Sequence, residues 1–323
     1  MTPPSFFPTP AIDNAVAGLG AGTAAVLCIH PLDLLRIRLQ VATSKPVSKN
    51  PLVTIWSSLT KIKAEHGVRG LYRGVGTNLV GNATSWAGYF WIYAMIKSKM
   101  FNSPDPRAPA HPITNLIAAS QASAITALLS NPIWVVKVRM FTTHSGQPDG
   151  LSSIYRNEGW RGLYVGTTLA LLNVSSGTIQ FVAYEELRRL CFQQKRRRLG
   201  LDERTNSRSE DDRLSNTTYT IISAAAKLIA MASTYPLQVI RSRMQNHATA
   251  HLYPTIPTSI ARTWKGEGVR GFYRGMATSL VRALPNTCVT FVVYENLSWL
   301  LRRGAVIRSG GESGHDHGAI SQS

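Results

Sequence analysis

At 323 residues the chain is long enough for two ordinary domains or one large one. Its hydrophobic content of 44% and mean hydropathy of −0.04 point by themselves to a soluble protein, while a net charge of +18 invites nucleic acid, anionic lipid or an anionic substrate as partner. Three scattered cysteines, Cys28, Cys191 and Cys288, show no CxxC spacing, which excludes a disulfide framework and a zinc site.

Residues 1–35 contain no Lys or Arg, so neither an Arg-rich transit peptide nor the charged n-region of a signal peptide is expected. Residues 15–29, AVAGLGAGTAAVLCI, are all small or apolar. Continued through Pro31, the segment approaches the ~20 residues that cross a bilayer. Gly18 and Gly22 form a GxxxG pair that suits close helix packing in lipid. There follow HPLDLLRIRLQ from His30, a glycine block EHGVRGLYRG (Glu65–Gly74) and a second helix, TNLVGNATSWAGYFWIYAMI.

The same order then returns twice. NPIWVVKVRMF starts at Asn131, NEGWRGLYVG spans Asn157–Gly166, and the helix TTLALLNVSSGTIQFVAYEEL follows. YPLQVIRSRMQ starts at Tyr235, GEGVRGFYRG spans Gly266–Gly275, and TSLVRALPNTCVTFVVYENL follows. The prolines Pro31, Pro132 and Pro236 are 101 and 104 residues apart. Each is expected to kink its helix, because proline lacks the N–H that would bond four residues back. The chain therefore reads as three copies of a helix–loop–helix unit: residues 11–101, 111–191 and 216–302. Soluble helical solenoids repeat every 33 to 47 residues or so, less than half this period.

Charge placement supports a membrane topology. The segments between the two helices of each unit (36–74, 137–166 and 241–275) hold 18 Lys/Arg and four Asp/Glu, or +14 of the total. That one-sided excess is what the positive-inside rule describes. It removes most of the case for a nucleic-acid partner, and none is expected. Residues 192–215 carry both signs densely and read as a charged linker whose KRRR run faces solvent or lipid headgroups. The Gly/Ser-rich tail 303–323 reads as disordered, with His315 and His317 too few to suggest a metal.

The frames PLDLLRIR, PIWVVKVR and PLQVIRSR, each followed by a Gly-Leu/Phe-Tyr-x-Gly block, resemble the mitochondrial carrier family from about Asn14 to Arg302. The resemblance implies an all-α membrane protein: six transmembrane helices in a three-fold pseudosymmetric barrel with short matrix helices. It further implies an inner-membrane location, termini toward the intermembrane space and no cleaved presequence. It implies a solute carrier rather than an enzyme, with no cofactor of its own. Membrane lipid, cardiolipin included, is an expected partner, and the carrier is expected to be a monomer.

An intramembrane charge is costly unless paired. Asp33 and Arg36 stand three apart, so a pair within one helix is the simplest reading. The family pattern instead pairs the acid of one unit with the cation of the next, closing a matrix-side gate. Carried over, Asp33 meets Lys137, Trp134 meets Arg241 as a cation–π contact, and Gln238 meets Arg36. Gln40 and Gln245 match the family's glutamine brace, and Phe141 departs from it. The opposite, cytoplasmic gate maps to Tyr93 and Lys97, to Tyr184, Glu185 and Arg188, and to Tyr294 and Glu295. There Glu295 pairs Lys97, Arg188 faces Ala94, and Glu185 faces Ser298. Each gate thus keeps one full ion pair.

Substrate is expected between the gates, at the second-helix positions that map to Gly81 and Asn82, to Leu172 and Asn173, and to Arg282. Lys227 lies nine residues before Pro236 among apolar neighbours. It either faces substrate, pairs with an acid or snorkels; beside Arg282 it implies an anionic substrate. Ser85, Trp86, Tyr89, Tyr93 and Lys97 continue one face of the second helix, where aromatic rings can stack on a planar ring, while Phe90 and Trp91 suit packing or lipid. Tryptophan in place of the second acid is similar to the carriers of nucleotides, NAD, folate and FAD. NATSWAGYFWIYAMIK, TYPLQVIRSRMQNH and RALPNTCVTFVVYENLSWLL resemble the FAD/folate branch. The expected cargo is FAD or a folate, with a pyrimidine nucleotide or NAD as the alternative. A non-transporting membrane scaffold is the alternative from another class.

Overall fold

The computed structural model describes residues 6–43, 50–101, 112–143, 150–198 and 214–312. Every regular element among them is helical. The long helices are α1 (Pro10–Val41), α3 (Val75–Phe101), α4 (Pro112–Thr142), α6 (Thr167–Arg198), α7 (Asn216–Gln245) and α10 (Met276–Glu312). Between them lie the short helices α2 (Pro51–Leu71), α5 (Leu151–Leu163), α8 (Ile256–Glu267) and α9 (Val269–Phe272), with a 3-10 turn at His247–Leu252. This is the helix–loop–helix order expected of each repeat, with a short helix in each loop.

Among the described residues, the spans 12–41, 113–142, 216–245 and 269–308 are long and apolar enough to cross a membrane. Helices α5 and α6 together, bent by 58° where they join, make a possible fifth. Helix α3 is not among these spans, and Asn78, Asn82, Thr84, Ser85 and Lys97 stand along it. Large apolar side chains such as Leu19, Leu129, Ile221 and Phe291 are about two-thirds exposed, as lipid-facing positions require.

The glycine blocks set where each short helix ends. Gly67, Gly159 and Gly268 have φ of 62° to 66° with ψ between −156° and −169°, a region essentially closed to residues with a Cβ. They break the short helix at the same point in every repeat. The helices run through Pro31, Pro132 and Pro236, and α10 also contains Pro285.

Two boundaries differ from expectation. Residues 192–198, assigned to the linker on charge density, continue α6 as helix. Lys and Arg are good helix formers and are favoured at a helix C-terminus, so a basic run extends a helix rather than ending it. Likewise residues 303–312, assigned to the disordered tail, continue α10. The rest of the linker and of the tail, with His315 and His317, lies outside the described residues.

The chain divides into two compact units: Met1–Arg38 with Ser44–Leu79 and Gly275–Ser323, and Leu39–Thr43 with Val80–Arg274. In the second unit one apolar cluster joins α4 to α5 through Val135, Val136, Ile154 and Leu163. Another joins Leu169 of α6, Ile240 of α7 and Phe272 of α9. Both lie at the proline-bearing ends of α4 and α7, so buried apolar packing of this unit surrounds the charged frames.

Candidate functional site

The residue before each proline is fully buried and ties its helix to the turn after the neighbouring short helix. His30 Nε2 bonds the Arg73 carbonyl at 3.1 Å, and its ring stacks on Tyr72 at 5.8 Å. A carbonyl only accepts, so Nε2 carries the proton and neutral His30 offers Nδ1 to the Asn78 amide, 3.3 Å away. Asn131 donates to the Leu163 carbonyl at 3.0 Å, and the Tyr235 ring stacks on Tyr273 at 6.4 Å. Reading the motif from its proline onward missed these three positions because their identity changes in every repeat.

In the first unit, Asp33 pairs with Arg282 of α10 and accepts a 3.4 Å hydrogen bond from Asn78. The gate acid and the expected substrate arginine are therefore partners here. Sequence reasoning had placed them at different levels.

In the second unit, Lys137 lies 4.6 Å from the Trp134 ring centroid and 5.3 Å from that of Phe141. The expected contact of Trp134 with Arg241 is not formed. Trp134 takes the lysine one turn along its own helix, and Arg241 donates to Asn131 Oδ1 at 3.0 Å instead. Phe141, the departure from the glutamine brace, supplies the second aromatic face for Lys137. Gln40 donates to the Tyr235 hydroxyl at 3.1 Å and accepts from Ser242 at 2.8 Å, while Gln245 donates to the Val165 carbonyl at 3.0 Å. Gly166 has φ +76°, and a Cβ there would stand 3.1 Å from Arg241 and 3.4 Å from Gln245, so this brace requires glycine. Gln238 donates to Asn173 Oδ1 at 3.3 Å.

The second basic residue of the second and third frames has a separate role. Arg139 forms a bidentate pair with Glu158 of α5 at 2.6 and 2.7 Å and also donates to the Gln245 carbonyl. Arg243 pairs with Glu267 of α8 at 2.8 Å, bonds Thr263 and the Gln40 carbonyl, and lies over the Tyr253 ring. Arg274 also reaches Glu267, at 2.9 Å. The Glu158 carboxyl is held below the ordinary carboxylate range, chiefly by the Arg139 hydrogen bond. Burial opposes the shift, and the charges of Arg139 and His247 add to it.

At the opposite ends of the helices, Tyr93 donates to Asn115 at 3.3 Å, and Tyr294 donates to Asn14 at 3.4 Å. Glu185 pairs at 3.6 Å with Arg188 of its own helix, rather than leaving both for the carried-over positions, and Arg188 also lies over Phe192. Lys97 is buried, while Tyr184 and Glu295 are not.

Of the expected substrate positions, Gly81 serves packing: it is buried, and a Cβ there would come within 3.1 Å of Ile133. Asn82 is half-buried. The Ser85 hydroxyl is buried without a hydrogen-bond partner among the described residues. Along α3, Trp86 stacks on Phe90 at 5.7 Å and Tyr89 on Tyr93 at 5.9 Å, with Trp86 edge-on to Tyr89 at 6.1 Å. Phe90 thus joins the ring ladder rather than serving packing alone. Lys227 is exposed and donates to Gln180 Oε1 of α6 at 3.3 Å. Leu172 is exposed beside Asn173. Gln180 was not singled out in the sequence.

A family model described as mitochondrial carrier protein matches residues 7–104, 108–195 and 212–304. A chloroplastic folate transporter of Arabidopsis thaliana is 37% identical over 306 residues, covering 90% of this chain and 96% of the relative. A mitochondrial FAD carrier protein of Saccharomyces cerevisiae is 33% identical, covering 90% and 97%. A mitochondrial nicotinamide adenine dinucleotide transporter of Arabidopsis thaliana is 34% identical, covering 90% and 80%. With three family repeats laid end to end over its length, the chain belongs to the mitochondrial carrier family of membrane transporters.

Proposed function

We propose that this carrier moves an anionic, flat-ringed cofactor, FAD or a folate, across the mitochondrial inner membrane by alternating access. The observation that carries the reading is the aromatic ladder of α3. Trp86, Phe90, Tyr89 and Tyr93 stand in two stacked pairs, and Trp86 and Phe90 leave about 60% of their surface open. An isoalloxazine or pterin ring is a flat partner for such faces. Lys227, exposed along α7, supplies charge for a phosphate or carboxylate. The FAD and folate relatives support the same class, and the NAD relative favours NAD as the second reading.

The gates are part of this proposal. Asp33 serves the matrix gate and Glu295 the opposite gate, one acid for a full ion pair in each, so neither closed state is deep. Both termini face the intermembrane space, and the protein works as a monomer among lipid. The test is uptake by proteoliposomes of purified carrier offered FAD, FMN, folates, NAD and pyrimidine nucleotides in parallel. Uptake of FAD or a folate is expected. Uptake of NAD or a pyrimidine nucleotide alone overturns the substrate class, and unchanged transport by both Asp33→Ala and Glu295→Ala overturns the gates.

A further inference from the structure

Helices α6 and α7 are joined in the second unit by two side-chain cross-links, Gln238 to Asn173 and Lys227 to Gln180. On α6 the two linking residues are seven apart, on one face and about 10 Å from each other along the axis. Gly177 lies between them on that face, and a Cβ built there meets nothing within 4 Å, so the surface between the links is open. Lys227 closes one end of this opening and is exposed, though it sits well inside a membrane helix. A charge at that depth is tolerated where it meets a watery cavity or a partner. Among the described residues the hydrogen bond recorded for it is the one to Gln180.

That bond fixes what the pair offers. An ammonium only donates, so the Gln180 carbonyl must face Lys227 and its NH2 must point away. Lys227 has three N–H donors and uses one here. Beside the second lone pair of the Gln180 carbonyl, the pair has four donors left: two on the ammonium and two on the amide. With a fixed positive charge and donors in excess, the pair matches the oxygens of an anionic group and not a cation.

We propose that Lys227 and Gln180 form an anion subsite that takes the phosphate or carboxylate group of the cargo, and that Gln180 is the positioning residue holding the ammonium to the open face at Gly177. The proposal rests on the substrate class given above and adds Gln180 to the residues read from the sequence. A dinucleotide pyrophosphate and the glutamate carboxylates of a folate share the required chemistry.

The test titrates the full-length carrier in detergent with inorganic pyrophosphate, read as a rise in unfolding temperature, and measures uptake separately. Lys227→Gln and Gln180→Glu are expected to raise the pyrophosphate needed for half the shift by about tenfold, as loss of a charge-assisted bond requires. Lys61→Gln, an exposed cation paired with Glu65, is expected to leave it unchanged. Unfolding temperatures without ligand show that each variant is folded. Gly177→Leu, which fills the open face, is expected to weaken pyrophosphate in the same way. In uptake, Gln180→Glu is expected to raise KM with little change in kcat. It should act on FAD if the group is a phosphate and on folate if it is a carboxylate. No thermal response of the wild type, or an equal response of all variants, overturns the subsite. A pyrophosphate response lost in Lys227→Gln, with no flavin or folate uptake by the wild type, upholds the subsite and overturns the substrate class.

Discussion

Asp33, the acid at the proline-bearing end of α1, is paired with Arg282 of α10. Its side chain is 13% exposed and that of Arg282 30%, so neither charge is well solvated without the other. Removing one partner of such a pair costs about 1–3 kcal/mol, mostly through the charge left behind. Asp33→Asn and Arg282→Gln are each expected to lower the unfolding temperature of the detergent-solubilised carrier. The double variant is expected to lose less than the two losses combined, by about 1 kcal/mol. Strictly additive losses in such a double-mutant cycle would show that the pair carries no coupling.

Lys137 is held between two aromatic faces of its own helix, Trp134 and Phe141. A cation–π contact contributes about 0.5–2 kcal/mol, more when water is excluded, and Phe141 is fully buried. Trp134→Leu is expected to destabilise by about 1 kcal/mol in the wild type and by less in a Lys137→Met background. Phe141→Ala is expected to cost about 3 kcal/mol or more, because it also opens a cavity. Chemical unfolding of the wild type, the two single variants, their double variant and Phe141→Ala gives these values.

The three-fold frame, the helical order and the family were legible because each rests on a pattern that repeats: proline, two cations, then glycines where only glycine fits. What did not repeat was not legible. His30, Asn131 and Tyr235 do the same tethering with three different chemistries, so no motif marks them. The exchange of partners between Trp134 and Arg241 depends on which side chain within reach is nearest. A lysine one turn away on the same helix wins over an arginine from another. Gln180 was hidden because hydrogen bonds between helices depend on the register of α6 against α7, which a single chain does not display.

The repeats are unequal in a way that predicts stability. Arg139 and Arg243 are buried and each meets a glutamate, Glu158 and Glu267, on the following short helix. The equivalent residues of the first repeat are Arg38 and His66, so a histidine stands where the other repeats carry an acid. His66→Glu is expected to raise the free energy of unfolding, by the ~1–3 kcal/mol of a charge-assisted bond. Glu158→Gln is expected to lower it by about 3 kcal/mol, since Arg139 is only 2% exposed. A loss of stability in His66→Glu would show that the first repeat has no place for the acid.

The Arg139–Glu158 pair also fixes the sign of an acid dependence. Because the folded-state pKa of Glu158 lies below its unfolded value near ~4.3, the carboxylate contributes stability that is fully present above that unfolded value. The contribution fades as pH falls through the depressed folded value, where Glu158 takes up a proton and Arg139 loses its charged partner. Glu158→Gln has no such proton to take up. The difference in stability between the wild type and Glu158→Gln is therefore expected to be constant from pH 7 to about 5 and to shrink below about 4. Unfolding of both proteins in detergent across that range measures it. A gap that stays constant into acid would mean that Glu158 keeps an ordinary pKa and that the bidentate bond contributes nothing to holding α5 against α4.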